Sequence, residues 1–172
     1  MLMVDGQPIN MEKIKTISDL SKIKKKGKTV GLITGVFDIL HYEHVQFLSF
    51  AKKKVDILIV GIESDSNVKL FKGSNRPIFN FNQRASVLSS LEYVDFVFKI
   101  PAIKKKQSNY SEFYKNIIKR IGSNVLILSV ANDGFFEEKK RIAEELKMKI
   151  ISYSKKGKIS SSKILSQIVS IN

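Results

Sequence analysis

A chain of 172 residues is long enough for one domain with a full core and too short for two ordinary domains. Cysteine is absent, which excludes disulfides and thiolate metal sites and makes a reducing cytoplasm the simplest setting. No run approaches the roughly 18 apolar residues of a membrane span, and residues 1–10 lack the basic-then-apolar layout of a signal peptide.

The formal net charge of +14 comes largely from lysine clusters spread along the chain. These clusters lie at residues 24–26, 52–54, 104–106 and 139–141. A positive field of this size attracts nucleotides, sugar phosphates or nucleic acid. The alternative is that these side chains are the solvated ends of helices and loops.

The first predicted element is a helix over residues 11–26, where isoleucine and leucine recur at three-residue steps. Thr16 and Asp19 form a capping-box pattern within it. No residue of this segment indicates chemistry. We therefore expect residues 1–28 to be a leading helix packed on a domain that spans residues 29–172.

Apolar runs that predict strands alternate with segments of helical spacing along the rest of the chain. The strands are predicted at residues 30–34, 57–62, 93–98, 125–128 and 149–153, and the intervening helices include residues 80–91, 110–121 and 135–147. Alternation of this kind is typical of a parallel sheet with helices on both faces. The fold class is thus α/β, with a Rossmann-like, doubly wound parallel sheet of five strands in three layers.

The stretch from Gly35 to His44, GVFDILHYEH, lies between the first predicted strand and a helix. A strand that feeds a helix through a glycine-started loop collects free backbone N–H groups and the positive end of the helix dipole, which suits a phosphate. His41 and His44 lie three residues apart where the loop becomes the helix, so both rings can face one anion. The pattern predicts a phosphate-handling site.

Three further positions each carry a structural and a functional interpretation. Asp65 follows the second strand, where it can meet a sugar hydroxyl or cap the next helix together with Ser64. Arg84 lies in the first turn of a helix, where its positive charge opposes the helix dipole. It is either a clamp on a phosphate or one partner of a surface ion pair. The serines at 160–162 precede the last helix, as a cap or, with Lys158, as a second phosphate nest.

The stretch from Gly35 to His44 resembles the signature of the cytidylyltransferase-like nucleotidyltransferases, Gly-Thr/Cys-Phe-Asp-x-x-His-x-Gly-His. Glu43 stands where that family has glycine. Further similarities follow in the same order along the chain. They lie at Lys72-Gly73, at Arg84 within Asn82-Gln83-Arg84, at Tyr93-Val94-Asp95 and at Ile159-Ser160-Ser161-Ser162.

Within the family, the chain is most similar to heptose 1-phosphate adenylyltransferases. Three local features carry this resemblance. They are residues 26–28, Ser64-Asp65, and residues 72–78, which precede Arg84. Glycerol 3-phosphate cytidylyltransferases are similar too, especially at residues 159–164. The Lys-Gly-x-Asp stretch of the adenylyltransferases is represented only by Asp133, and the choice between ATP and CTP stays open, with adenylyl transfer favoured.

The resemblance implies that a phosphate oxygen of a small substrate, such as a sugar 1-phosphate, attacks the α-phosphorus of a nucleoside triphosphate and releases pyrophosphate. It implies catalytic roles on the phosphates for His41, His44, Lys72 and Arg84, and substrate binding for Asp65. The implied nucleotide-binding residues are Gly35, Val36, Phe37, Asp38, Asp133, Ser160, Ser161 and Ser162. Asp38 is also expected to hold the loop in shape. Mg²⁺ is expected with the triphosphate, with no metal site in the protein itself, and a homodimer is possible.

Two alternatives remain. A carboxylate at Glu43 repels a nearby phosphate by about a kcal/mol or more unless it turns away, which would suit a degenerate relative that binds nucleotide without turning it over. The net charge suggests a basic nucleic-acid-binding module, but the lysines are scattered and no aromatic platform accompanies them. Nucleic acid is therefore the less favoured partner.

Overall fold

The computed structural model describes residues 3–4, 7–8, 11–103, 110–130, 133–155, 157 and 159–170. The strands are β1 (Met3–Val4), β2 (Gln7–Pro8), β3 (Val30–Gly35), β4 (Ile57–Glu63), β5 (Phe96–Ile100), β6 (Val125–Ser129) and β7 (Lys149–Tyr153). The helices are α1 (Ile17–Lys22), α2 (Tyr42–Lys52), α3 (Asp65–Lys72), α4 (Phe81–Ser89), α5 (Tyr110–Ile121), α6 (Phe136–Glu145) and α7 (Ser161–Val169), with a 3₁₀ turn at Met11–Lys13.

Five strands form one sheet in the order β5-β4-β3-β6-β7, and every neighbouring pair is parallel. The chain moves outward from β3 to one edge and then returns to start again at β6. The strand order therefore reverses between β3 and β6, which is where open parallel sheets bind their ligands. The predicted five-stranded parallel sheet is confirmed. Strands β1 and β2 form a separate antiparallel pair.

The sheet has an apolar layer on each face because successive strand residues point in opposite directions. Val60 packs in one layer with Leu48 of α2 and Leu88 of α4. Ile59 packs in the other with Ile118 of α5. Helices α1 and α6 contribute to this second layer as well. The predicted arrangement of three layers is confirmed.

The leading segment contains less helix than predicted. Helix α1 starts after Thr16, whose hydroxyl accepts from the Asp19 backbone N–H at 3.1 Å while the Asp19 carboxylate accepts from the Thr16 backbone N–H at 3.0 Å. This capping box is the predicted one. Before it, the backbone N–H of Lys15 donates to the carbonyl of Val97 at 2.8 Å, so the chain runs extended along β5. The extended cap at Thr16 and the extended Ile23 limit the helix to Ile17–Lys22.

Strand β5 begins later than predicted, at Phe96. The reason is Asp95, whose carboxylate accepts from the backbone N–H of Leu58 at 2.7 Å and from Lys52 Nζ at 2.7 Å. The Asp95 carboxylate thus replaces a backbone carbonyl as the acceptor for Leu58 just before β5 begins. Asp95 therefore links the start of β5 to β4 and to α2.

Helix α5 follows residues 101–108, a polar and lysine-rich stretch whose sequence predicts an excursion between two elements. Of that excursion, residues 104–108 lie outside the described residues, and Ile103 is buried. The helix itself coincides with the predicted range and has 12 residues. Across the described part of the chain, no helix combines the length and apolarity needed to cross a bilayer.

Gly61 provides a test of how closely the sheet packs. A Cβ atom at Gly61 would lie 2.7 Å from Cζ of Phe98 on the neighbouring strand. We expect Gly61→Ala to lower the free energy of unfolding by about 1–3 kcal/mol, because an overpacked core must shift. Urea denaturation measures this. Gly134→Ala is the control, since nothing lies within 4 Å of its added Cβ; equal losses in the two variants would contradict the packing.

Candidate active site

A cavity of about 470 Å³ opens at the carboxyl ends of β3, β4 and β6, beside the reversal of strand order. The glycine loop, residues 34–38, lines it together with side chains from the segments that follow β4 and β6. Its ionisable lining residues are Asp38, Glu43, His44, Glu63, Lys72, Arg76, Asp133, Glu138 and Lys139, with Tyr110, Tyr114 and Tyr153. The fold thus gathers charged groups from α2, β4, α3, α6 and two connecting segments around one loop.

The glycine loop is held in an uncommon backbone conformation. Phe37 has a φ of +50°, in the left-handed region that residues other than glycine seldom adopt, and its ring is buried. A Cβ atom at Gly35 would lie 2.9 Å from Cε2 of this ring. Glycine at 35 therefore makes room for the ring, and Gly35, Val36 and Phe37 all line the cavity. Their contact with a nucleotide stays a prediction.

Asp38 fastens this loop to the segment before α4. Its carboxylate, 3% exposed, accepts from the backbone N–H groups of Ile78 at 2.9 Å and Phe79 at 3.0 Å. It also accepts from Arg76 Nε at 2.6 Å. The expected loop-holding contacts of Asp38 are thus present in the structure.

The two histidines of the motif stack on each other at the start of α2. Their ring centroids are 3.9 Å apart and their planes differ by 29°. Burial, with the charges of His41 and Lys72, lowers the pKa of His44 to about 4, and burial also lowers the pKa of His41. Both rings are therefore neutral near pH 7. Within the described part of the chain, Nδ1 of each ring is buried without a hydrogen-bond partner.

Arg84 lies beneath the glycine loop with a fully buried side chain. Its Nη1 donates to the carbonyl of Val36 at 2.6 Å, and its Nε donates to the carbonyl of Phe79 at 2.9 Å. Its Nη2 donates to the carbonyl of Glu63 at 2.8 Å and to Oδ1 of Asp65 at 2.6 Å. Neither Arg84 nor Asp65 is among the described residues that line the cavity. These contacts favour a positioning role for both over direct contact with phosphate or sugar.

Glycine, asparagine and proline in residues 71–77 predict a mobile basic loop there. The structure instead makes Lys72 the last residue of α3. Gly73, with a φ of +93°, ends the helix directly after it. The side chain lines the cavity, and burial, together with the nearby charge of Arg76, lowers the pKa of Lys72 against an opposing effect of Asp38. The helix end therefore presents a solvent-accessible cation beside the glycine loop.

Glu43 lines the cavity from the first turn of α2 and lies against the segment before α7. A Cβ atom at Gly157 would lie 2.6 Å from Cδ of Glu43. The glycine at 157 thus provides the space that the carboxylate occupies. Lys158, a predicted partner of the serines, lies outside the described residues.

The three serines at the start of α7 have different environments. Ser160 caps the helix, because its hydroxyl accepts from the backbone N–H of Lys163 at 3.2 Å. Ser161 lines the cavity and donates to the carbonyl of Ile39 at 3.1 Å. Ser162 is exposed. The structure therefore brings one of the three hydroxyls to the cavity.

Two groups at the cavity were missed by the sequence analysis. Lys139 of α6 donates to the carbonyl of Thr34 at 3.2 Å and to Oδ2 of the predicted Asp133 at 2.7 Å.

Glu63, at the end of β4, accepts from the Tyr114 hydroxyl at 2.6 Å. Burial beside this carboxylate raises the pKa of Tyr114, which keeps the phenol protonated as a donor. The sequence offered one indication of Glu63, a charged residue directly after an apolar strand. It offered none for Lys139, which lies in one of the lysine clusters.

Removal of the Arg84 contacts should destabilise the protein. We expect Arg84→Lys to lower the free energy of unfolding by about 3 kcal/mol or more, since one ammonium group cannot serve acceptors on four residues. Urea denaturation is the measurement. Arg120→Lys, an exposed site on α5, is the matched control and should stay within about 0.5 kcal/mol of wild type. If both variants have the stability of wild type, the assigned contacts are wrong.

The low pKa of His44 predicts a pH-dependent stability. Its pKa is about 4 in the folded protein and 6.5 in its ordinary state, so the unfolded chain binds more protons between these values. Stability should fall as the pH decreases through this window, by up to about 1.4 kcal/mol per pH unit from this group. Denaturation of wild type and His44→Gln at about pH 7 and about pH 5 measures the difference. An equal loss in both proteins would contradict the burial of the ring.

Comparison with known proteins places this site in a family. Residues 32–167 match the family described as Cytidylyltransferase-like. The chain is similar to the Bifunctional protein HldE of Aliarcobacter butzleri, with 38% identity over 139 residues that cover 78% of this chain and 27% of the relative. The corresponding protein of Campylobacter fetus subsp. fetus is 47% identical over 85 residues, 49% of this chain and 19% of the relative. The chain thus spans 27% or less of these two curated relatives.

Solved structures give the same result for the fold. A lipopolysaccharide core biosynthesis protein from Thermoplasma volcanium has a TM-score of 0.60 and 27% identity, and the match covers 76% of this chain and all of that one. A pantoate-beta-alanine ligase from Francisella tularensis has a TM-score of 0.61 at 17% identity, covering 88% and 72%, which shows the fold alone. Since the family match includes the glycine loop, both histidines and the start of α7, the chain belongs to the cytidylyltransferase-like family.

Proposed function

We propose that this chain transfers a nucleotidyl group from a nucleoside triphosphate to a small phosphorylated sugar and releases pyrophosphate. The observation that carries the proposal is the cavity that the glycine loop, the neutral His44 and the cationic Lys72 line together. Adenylyl transfer to heptose 1-phosphate is the finer form. It is supported by the resemblance at residues 72–78 and by similarity to HldE proteins and to a lipopolysaccharide core biosynthesis protein.

In the proposed reaction, a phosphate oxygen of the acceptor forms a bond to the α-phosphorus, and the bond from that phosphorus to the bridging oxygen of the leaving pyrophosphate breaks. The protein has to supply position and positive charge. Neutral His44 donates an N–H to a phosphate oxygen and Lys72 supplies charge. Ser161, whose hydroxyl donates to the carbonyl of Ile39, offers its backbone N–H at the start of α7. No covalent intermediate with the protein is needed.

The strand order suggests how the two substrates share the cavity. Glu63 and Tyr114 lie on the side that follows β4, while Asp133 and Lys139 lie on the side that follows β6. We assign the β4 side to the acceptor, because the Glu63 carboxylate can accept from sugar hydroxyls while Tyr114 holds it in place. The β6 side is assigned to the nucleotide, where the predicted Asp133 is fixed by Lys139.

We propose that Mg²⁺ enters with the triphosphate. In the described ranges, no three histidine or carboxylate side chains are grouped closely enough to hold a metal ion. The Asp38 carboxylate accepts from Arg76, Ile78 and Phe79, and the Glu63 carboxylate accepts from Tyr114 and Asn67. Phosphate oxygens and water suit most of the coordination positions of such an ion. Its chemistry there is to neutralise charge on the phosphates.

A degenerate relative that binds nucleotide without turnover is the second candidate. The observation in its favour is that Glu43 lines the cavity with a carboxylate where the motif has glycine. Against it, the space above Gly157 allows this carboxylate to lie toward the last segment of the chain. The two candidates differ in what restoring glycine at 43 should do.

Pyrophosphate release by the purified chain with Mg²⁺ tests the proposal. ATP and CTP are each combined with heptose 1-phosphate and with glycerol 3-phosphate. We expect release with ATP and heptose 1-phosphate, and a loss of about 100-fold or more in His44→Ala, because a donor to the reacting phosphates is removed. Lys69→Gln, an exposed site on α3, should retain the wild-type rate.

The Glu43→Gly variant separates the two candidates. Activity that appears only in this variant would identify the wild-type chain as the degenerate relative. Silence of both proteins across the panel, with nucleotide still bound, would overturn the proposed transfer. Release with CTP and glycerol 3-phosphate alone would keep the transfer and change the substrates.

A further inference from the structure

Arg76 is a buried cation whose direction is fixed by Asp38. It lies in the segment between α3 and α4, and its side chain is 11% exposed. Its Nε donates to Oδ2 of Asp38 at 2.6 Å, and the same carboxylate receives the backbone N–H groups of Ile78 and Phe79. The guanidinium plane therefore cannot turn freely, and the remaining nitrogens point where the Asp38 contact directs them.

One of these nitrogens is unsatisfied. Nη2 of Arg76 is buried and has no hydrogen-bond partner among the described residues, while the side chain lines the cavity. A buried donor of a charged group without an acceptor is costly, so such an atom calls for a specific explanation. Nδ1 of His41 and of His44 share this property, and only Ser123 Oγ does so elsewhere in the described part of the chain. Arg76 and His44 line the cavity, and His41 stacks on His44.

A second cation lies beside Arg76. The charge of Arg76 contributes to the low pKa of Lys72, and both side chains line the same cavity. Two like charges repel each other in a partly buried site, and an anion that contacts both removes this cost. The planar, always charged guanidinium matches the geometry of a phosphoryl group, while lysine supplies a point charge.

We propose that Arg76 is a phosphate-binding residue, whose Nη2 contacts a phosphoryl group next to Lys72 while its Nε stays on Asp38. The inference rests on the proposed function only for the identity of the ligand. The phosphoryl group belongs to the triphosphate of the nucleotide or to the acceptor, and the chemistry of recognition is the same. Asp38 then positions the arginine, so the glycine loop and the bound phosphate are linked through one side chain.

Equilibrium binding separates this role from support of the loop. Arg76→Lys keeps a positive charge for Asp38 and gives up the second nitrogen; Arg76→Gln removes the charge. Lys69→Gln is the matched control, because it removes one charge from an exposed site on the preceding helix. Each protein is titrated calorimetrically with an α,β-methylene ATP analogue plus Mg²⁺ and, separately, with heptose 1-phosphate, and its melting temperature is recorded.

At a temperature well below the melting point of each variant, we expect Arg76→Lys and Arg76→Gln to weaken binding of one of the two probes by about tenfold or more, since a charge-assisted hydrogen bond is lost. Arg76→Gln should also melt at a lower temperature, because the buried Asp38 carboxylate loses its ion-pair partner. The probe that is weakened identifies the source of the phosphoryl group. The control should stay within about twofold of wild type for both probes. Weakening of both probes in the folded Arg76→Lys variant, which keeps a cation for Asp38, also supports the role, with Arg76 bridging the two phosphates.

Wild-type affinity for both probes in either folded Arg76 variant would overturn the inference, and so would a wild-type chain that binds neither probe. If Arg76→Lys does not fold, the Arg76→Gln titration decides. A chain that binds phosphate through Arg76 and yet releases no pyrophosphate would support this inference and overturn the proposed function. The two failures are therefore distinguishable.

Discussion

The geometry of the site depends on the hydrogen bonds and the ion pair of the buried Arg84 guanidinium. It binds carbonyls of the glycine loop, of the end of β4 and of the segment before α4, and it pairs with Asp65. A cation in a dry environment requires such partners, since an unpaired buried charge is very costly. Three separate segments are therefore held at fixed distances from one point. The residues that line the cavity inherit their positions from this arrangement.

A second fixed point lies at Asp38, on the cavity side of the same loop. Its carboxylate holds Arg76 and the backbone before α4, so the loop is fastened on both of its sides. Around it, burial keeps His44 neutral and lowers the pKa of Lys72. The cavity thus combines hydrogen-bond donors that add no charge with cations that water screens only partly. A low local dielectric strengthens the contact of an anion with these donors, and it equally strengthens repulsion by the carboxylates that line the same cavity.

Glu43 departs from the family motif, and the direction of its carboxylate depends on a residue that is distant in the sequence. In isolation, Glu43 suggests repulsion of a phosphate. In the fold it lies against Gly157, where a Cβ atom would be 2.6 Å from its Cδ. The two positions are 114 residues apart in the sequence (157 minus 43) and meet because the segment before α7 passes the first turn of α2. The effect of Glu43 is therefore a property of the pair.

The sequence by itself determined the five strands, the glycine loop and the capping box at Thr16, because periodicity and caps involve residues only a few positions apart. It left the serines at 160–162 open between a cap and a phosphate nest. It offered alternatives for Arg84 and placed Lys72 in a loop, and it missed Glu63, Lys139 and the free nitrogen of Arg76. Only the tertiary structure decided these. Glu63 meets Tyr114, 51 residues away, and Lys139 meets Thr34, 105 residues away. Such partners are set by the order of strands in the sheet, which no local pattern encodes.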